Sequence, residues 1–196
     1  MLAKVFEGYF ERMIYCIGRV EALDKEVGLL ADSAEYKEIV GALRCFHGIE
    51  TLTAITVLTE IFEFGRFESP RQLTSYLALT PSEDSSGDKQ RKGSITKTGN
   101  KSVRRLLNEA AWHYRRLYVP SKALKRRRKG QPQWAIDIAD AAGRRLSKRH
   151  RHLANNGKMP CKANIAVARE LAGFIWFIVT QYYARNNTKA LGEIGQ

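Results

Sequence analysis

Between residues 86 and 151 the chain carries 20 Lys and Arg against four acidic residues, Asp88, Glu109, Asp137 and Asp140, a local excess of +16 where the whole protein has +13. The rest of the 196-residue chain is therefore slightly acidic. Positive charge concentrated in this way attracts polyanions, and the binding weakens steeply with salt because each neutralised phosphate releases counterions. Nucleic acid is the partner to expect. At the start of the basic segment lies a long polar stretch, residues 80–93, in which Ser86 precedes Gly87 and is followed by Lys89, Arg91 and Lys92, with Lys97 just beyond. Loops of this length inside a compact domain tend to be functional or mobile, and this one has room for a short hairpin. Cys16, Cys45 and Cys161 are widely scattered, with no C-x-x-C pair and no His at finger spacing, so neither a disulfide framework nor a structural zinc site is indicated. No metal ligands are expected.

The elements that must position these residues read as helices. With 44% apolar residues the chain can bury a core, which excludes a disordered polyelectrolyte. Residues 5–30 place Val5, Phe6, Tyr9, Phe10, Met13, Ile17, Val20, Leu23, Val27 and Leu30 at helical steps, the stripe of a long amphipathic helix. It must pack on another helix, either within the chain or in a second copy. A helix over residues 34–45 follows. The turn Phe46-His47-Gly48-Ile49 before Thr51 then has the pattern of a helix-hairpin-helix, in which Gly48 lets backbone N–H groups of the next helix meet a phosphate. Ser69 and Pro70 start a helix running to about residue 79. Asn100 caps a basic helix over residues 100–116 that presents Lys101, Arg104, Arg105 and Arg115 to a nucleic-acid backbone. Trp112, Tyr114 and Trp134 either stack on unpaired bases or fill the core. Residues 121–130, with Lys122 and the run Lys125-Arg126-Arg127-Arg128-Lys129, resist burial and read as a flexible connection or an arm. Further helices are expected over residues 134–153 and 162–183, with a disordered tail after residue 186. No run of alternating β-branched residues appears, so the fold class is all-α. No apolar run reaches the roughly 18 residues of a membrane span and the N-terminus lacks a signal-peptide pattern, so the expected location is cytoplasmic.

Six ordered motifs carry a more specific signal. They are the Gly48 hairpin with Thr53-Ala54; Arg66-Phe67-x-Ser69-x-Arg71-Gln72-Leu73; Tyr76-Leu77-Ala78-Leu79-Thr80-Pro81; Ser86-Gly87; Gly93-x-Ile95-Thr96-Lys97-x-Gly99-Asn100; and Arg104-Arg105-Leu106-Leu107. Together with Ala166-Val167-Ala168-Arg169-Glu170-Leu171-Ala172 they resemble the C-terminal transposase domain of the IS-one-hundred-ten family, insertion-sequence recombinases guided by a bridge RNA. The resemblance covers residues 43 to 183. His47 and Glu50 stand where the family hairpin has Pro and Gly, and Ala78 stands for a frequent Gly.

The resemblance implies a division into a coiled-coil-like lead-in at 1–42, a helical transposase domain at 43–185 and a tail at 186–196. It implies that Ser86 attacks a DNA phosphodiester and forms a transient phosphoserine link, with Lys89, Arg91, Lys92 and Lys97 close in sequence to supply charge. A serine hydroxyl is a weak nucleophile without a base or metal. In the family an acidic tetrad with Mg²⁺ comes from an N-terminal RuvC-like nuclease domain, which residues 1–42 do not resemble, so Mg²⁺ is expected through that domain and no cofactor on this chain itself. DNA and a guide RNA are the implied partners, with homo-oligomers forming through the N-terminal helix. The alternative reading is a non-catalytic helix-hairpin-helix DNA-binding protein, or a transposase remnant.

Overall fold

A computed structural model of the chain describes residues 2–194 apart from 87, 88 and 97, with backbone only at 82–86, 89–92, 94 and 188–194. The order is α1 (Leu2–Ala31), α2 (Lys37–Leu43), α3 (Thr51–Ile61), a 3-10 turn (Phe64–Arg66), α4 (Pro70–Tyr76), β1 (Pro81–Ser86), β2 (Lys89–Ile95), α5 (Lys101–Ala111), a second 3-10 turn (Trp112–Arg115), α6 (Lys122–Arg128), α7 (Gln133–Asn155) and α8 (Pro160–Ile194). The all-α class holds, with one antiparallel hairpin set into it.

Helix α8 is the axis of the domain, in contact with α2, α4, α5 and α7. Its Val167, Ala168, Leu171, Ala172, Ile175, Ile178 and Val179 are buried at the helical spacing that puts them on the inward faces. By length and composition α8 passes for a membrane span, yet half of its most apolar window is buried inside the protein, as expected for a core helix. Helix α7 offers the small residues Ala135, Ala139, Ala142 and Gly143 on its buried side. Helix α7 packs against α8, and Gly143 leaves room for the Tyr118 ring. Helix α8 continues to Ile194, so it occupies most of the stretch read as a tail, while residues 195 and 196 lie outside the described residues.

One segment takes the form the sequence left room for, and another differs from its reading. The polar stretch at 80–93 is a hairpin, with Glu83 paired in register with Lys92, Asp84 with Arg91, Ser85 with Gln90 and Ser86 with Lys89. Its strands lack apolar alternation, so period-2 patterning does not reveal them; opposite charges at paired positions are the signal that was available. The basic run at 121–130 is not a flexible arm but helix α6. Ser121 accepts a hydrogen bond from the Leu124 N–H (3.2 Å), and Leu124 and Arg128 are buried. Arg128 resists exposure because its charge is met from inside. Its Nη1 donates to Asp140 (2.6 Å), Nη2 to the Tyr118 hydroxyl (2.8 Å) and to the Cys45 carbonyl (2.8 Å), and Nε to the same carbonyl (3.0 Å).

Candidate nucleic-acid interface and the serine hairpin

The hairpin is rooted where α4 ends and α5 begins. Helix α4 closes with a Schellman motif, in which the Ala78 N–H donates to the Ser75 carbonyl (2.8 Å) and the Leu79 N–H to that of Thr74 (3.0 Å). Ala78 takes the left-handed conformation this motif needs, φ +51°, a position where glycine is unstrained. On the other root, Gly99 lies against the backbone of Tyr76 and Leu77 so closely that a methyl group would overlap the Tyr76 carbonyl oxygen. Arg104 spans both roots, donating from Nη1 to the carbonyls of Leu77 and Gly99 (3.2 Å each). Asn100 accepts from the Val103 N–H (2.9 Å), capping α5, and donates to Glu60 on α3 (2.7 Å). The backbone at these roots leaves no room to relax around an added side-chain carbon. Gly99→Ala is therefore expected to cost about 1–3 kcal/mol through forced backbone shifts, which thermal denaturation would read as a fall of very roughly 2–12 °C.

The residues expected on nucleic acid thus divide. Asn100 and Arg104 spend their polar groups inside the chain, fixing the hairpin to the helices. Lys101 and Arg105 are exposed, because Val103, Leu107 and Ala110 take the inward face of α5. Lys89, Arg91 and Lys92 are positions on β2, with Lys89 paired to Ser86; their side chains and that of Ser86, with all of Gly87 and Lys97, lie outside the described residues. Gly48 serves packing. Its φ is +83°, and a side chain there would press on the Ala110 carbonyl and the His113 ring, both at 2.8 Å. The start of α3, which the hairpin was expected to offer to a phosphate, carries Glu50 at its N-cap, ion-paired with Arg127. A negative charge at the N-cap makes this helix end less favourable for a phosphate.

Further cations line up that the sequence reading had not singled out. Arg144, Lys148 and Arg151 are exposed at i, i+4 and i+7, one stripe of α7, with Arg144 4.0 Å from Asp140, while Arg145 and Arg149 reach Glu170 of α8 (2.9 and 3.3 Å). The helical spacing of the three was the signal available. Of the basic run the sequence reading did mark, Lys122, Lys125 and Arg126 are exposed on α6 and Lys129 is exposed at its C-terminal cap. Of the aromatic residues, Tyr114 is fully buried, whereas Trp112 and Trp134 are half-buried, each with an arginine over its ring.

Two histidines are held neutral by the fold. Burial lowers the pKa of His47, helped by His113, Arg127 and Arg128, and burial with the nearby Arg115 lowers that of His150. Neither ring nitrogen of His150 has a hydrogen-bond partner among the described residues, and the residue is buried. A depressed folded pKa means that the unfolded chain binds the proton more readily, so stability is complete above the ordinary value near 6.5 and falls as the pH drops through it. The melting temperature is expected to be higher at pH 8 than at pH 5.5, and His150→Leu should flatten that dependence. A pH slope unchanged in that variant would show that His150 does not contribute.

Among the described residues no three His, Cys, Asp or Glu side chains are placed to hold a metal ion, so they provide no ligand set for the Mg²⁺ that the resemblance implies.

Comparison with known proteins agrees with the motifs. Residues 41–126 match the family described as Transposase IS116/IS110/IS902. The protein y4qE of Sinorhizobium fredii, named as a transposase, is 38% identical over 185 residues, covering 93% of this chain and 46% of that protein. The transposase for insertion sequence element IS1533 of Leptospira borgpetersenii is 34% identical over 155 residues, 78% of this chain and 44% of its own length. That for insertion sequence element IS1111A of Coxiella burnetii is 29% identical over 106 residues, 52% of this chain and 29% of its own. The chain spans less than half the length of these relatives.

Proposed function

The chain carries a transposase domain of the IS116/IS110/IS902 family, and on that premise we propose that it is the DNA-binding, strand-joining module of an insertion-sequence transposase, with Ser86 as nucleophile. The observation that carries the reading is the serine hairpin. Ser86 ends β1 at the turn, opposite Lys89, on a ribbon whose two roots are locked to the helical body by Gly99 and Arg104. A rigid root with a chemically equipped tip is how a fold presents a reactive group to a large substrate.

In the proposed step the Ser86 oxygen bonds to phosphorus, the bond from phosphorus to one deoxyribose oxygen breaks, the serine proton leaves to a base, and the departing sugar oxygen takes up a proton. The cations of β2 offset the charge that spreads over the phosphoryl oxygens. Any Mg²⁺ the reaction uses is held by acidic residues of another polypeptide region. Exposed Lys101 and Arg105 hold the DNA backbone, a guide RNA shares the cationic surfaces of α6 and α7, and the exposed apolar face of α1 joins copies of the chain. The setting is cytoplasmic, where DNA is available to it.

The test is a nicked suicide duplex supplied with Mg²⁺ and the intact N-terminal region of a full-length relative. A covalent chain–DNA species that survives denaturing detergent is the expected product. Binding without any such species would instead favour a non-catalytic DNA-binding protein. For binding alone, Lys101→Glu with Arg105→Glu is expected to weaken duplex affinity about tenfold or more near physiological salt and to lower the slope of log K against log salt by about two. An unchanged slope in a gel-shift titration would remove these two residues from the interface.

A further inference from the structure

Between α4, α7 and α8 the surface opens into a cleft of about 440 Å³, lined from α4 by Arg71, from α7 by Arg145 and from α8 by Arg169, Glu170, Phe174 and Phe177. The α8 residues fall at i, i+1, i+5 and i+8, one face of that helix. Glu170 takes Arg145 at 2.9 Å and Arg149 beside it at 3.3 Å, so its carboxylate is already committed. Among the described residues neither Arg71 nor Arg169 has a side-chain hydrogen bond or ion pair, and Arg169 is half-buried. Guanidiniums that line one cleft with no carboxylate of their own repel each other and attract an anion from outside.

The floor of the cleft is aromatic. Phe177 is 43% exposed, and Phe174 is half-buried at the edge of the core. The rings of Trp112 and Trp134 each have an arginine over them, whereas among the described residues that of Phe177 has none. An uncovered ring bordered by guanidiniums, which grip phosphate through forked hydrogen bonds, suits a ligand with both a flat face and a phosphate. In a duplex the base faces are stacked on one another, so an unpaired nucleotide is the form that satisfies both parts of the cleft. Helix α4, seven residues or about 10 Å of helical rise, leads from Arg71 towards the root of the serine hairpin.

We propose that this cleft holds an unpaired nucleotide of the DNA strand handled at the serine hairpin, its base against Phe177 and its phosphates on Arg71 and Arg169. The proposal rests on the reading of the hairpin as the strand-joining site and adds where the strand runs beside it. It gives a task to Arg71 and Arg169, which two separate sequence motifs place far apart in the chain.

The test uses the full chain and a short oligothymidylate carrying one 5-iodouracil. Irradiation should cross-link the strand to Phe177 or Phe174. Phe177→Ala should weaken the affinity about fivefold or more, yet leave that for an abasic strand of the same length within twofold. Arg71→Gln with Arg169→Gln should weaken both strands and lower the slope of log K against log salt by about 1.4. Cross-links confined to other residues, or equal losses on the two strands in Phe177→Ala, would overturn the base site. The same cross-link formed by oligouridylate but not by oligothymidylate would overturn the assignment to DNA. Displacement of the strand by an equal concentration of a Glu- and Phe-containing peptide would give the cleft to an acidic protein segment instead. A chain that forms the Ser86 adduct but no cross-link here would overturn the cleft alone. One that cross-links here yet never forms the adduct would overturn the hairpin reading and leave the cleft as a single-strand site.

Discussion

Replacing Ser86 with alanine is expected to lower formation of the covalent protein–DNA species by at least about a thousandfold while leaving duplex affinity within twofold of the parent. Removing a nucleophile takes away the bond-forming atom, and losses of that order or larger follow when no neighbour can substitute. Ser85 is the nearest alternative hydroxyl, but the register pairs it with Gln90 rather than Lys89, and adjacent strand positions face opposite sides of a ribbon. Affinity should persist because it comes from exposed cations on the helices, and neither Lys101 nor Arg105 moves when a hydroxyl is lost from the hairpin. Electrophoresis of trapped adducts beside gel-shift titrations reads both quantities. Adduct formation by the variant at the parent rate would dismiss Ser86 as the nucleophile; loss of adduct together with affinity would make it a residue of the binding surface instead.

The second large effect is structural. Arg128→Ala should destabilise the domain by about 3 kcal/mol, because it leaves the buried Cys45 carbonyl without its side-chain donor and takes one donor from the partly exposed Asp140, which keeps that of Tyr118. At this chain length that corresponds to a fall in melting temperature of very roughly 6–12 °C. Arg128 joins α6 to α7 and to the turn after α2, so the loss reaches three elements at once. Asp140 reports on the same network. Burial pushes its pKa up, but the hydrogen bonds from Tyr118 and Arg128 and the guanidinium charge outweigh that and hold it below the usual carboxylate range. A depressed carboxylate contributes stability that is present above its unfolded pKa and is lost as the pH falls through the folded one. Acid unfolding should therefore begin below about pH 4 in the parent, and Asp140→Asn should flatten that limb. In a double-mutant cycle, Arg128→Ala and Asp140→Asn together should cost less than the two single changes summed, since each already removes their shared bond. Strict additivity would mean that the two residues act independently.

Neighbouring residues on one helix show how far sequence reasoning reaches. On α5 the positions Lys101, Arg104 and Arg105 look alike in the sequence, each a cation on a helix whose apolar residues lie elsewhere. In the structure two are exposed, while Arg104 is drawn onto the carbonyls of Leu77 and Gly99. On α6 the nearby Arg126 and Arg128 divide in the same way: Arg126 is exposed, while Arg128 is buried on the Cys45 carbonyl and Asp140. The hairpin was legible only as room within a polar stretch, for a related reason. Its strands bury no apolar face, so the period that marks a half-buried strand is absent, and pairing depends on residues across a turn.

What the chain announced by itself was everything that depends on near neighbours. The helical stretches follow from spacing along one segment, and the caps at Asn100 and Ser121 from a side chain reaching three residues ahead. The segment that carries the excess charge follows from counting, and the family from short motifs in order. What tertiary structure alone decided was which charges remain available to a partner. The carbonyl that holds Arg104 is 27 residues away in the chain, and the one that holds the buried Arg128 is 83 away. Such distances are set by how whole helices pack, and the cost of desolvating a charge then determines that a buried cation must be satisfied from within while its neighbour stays in water.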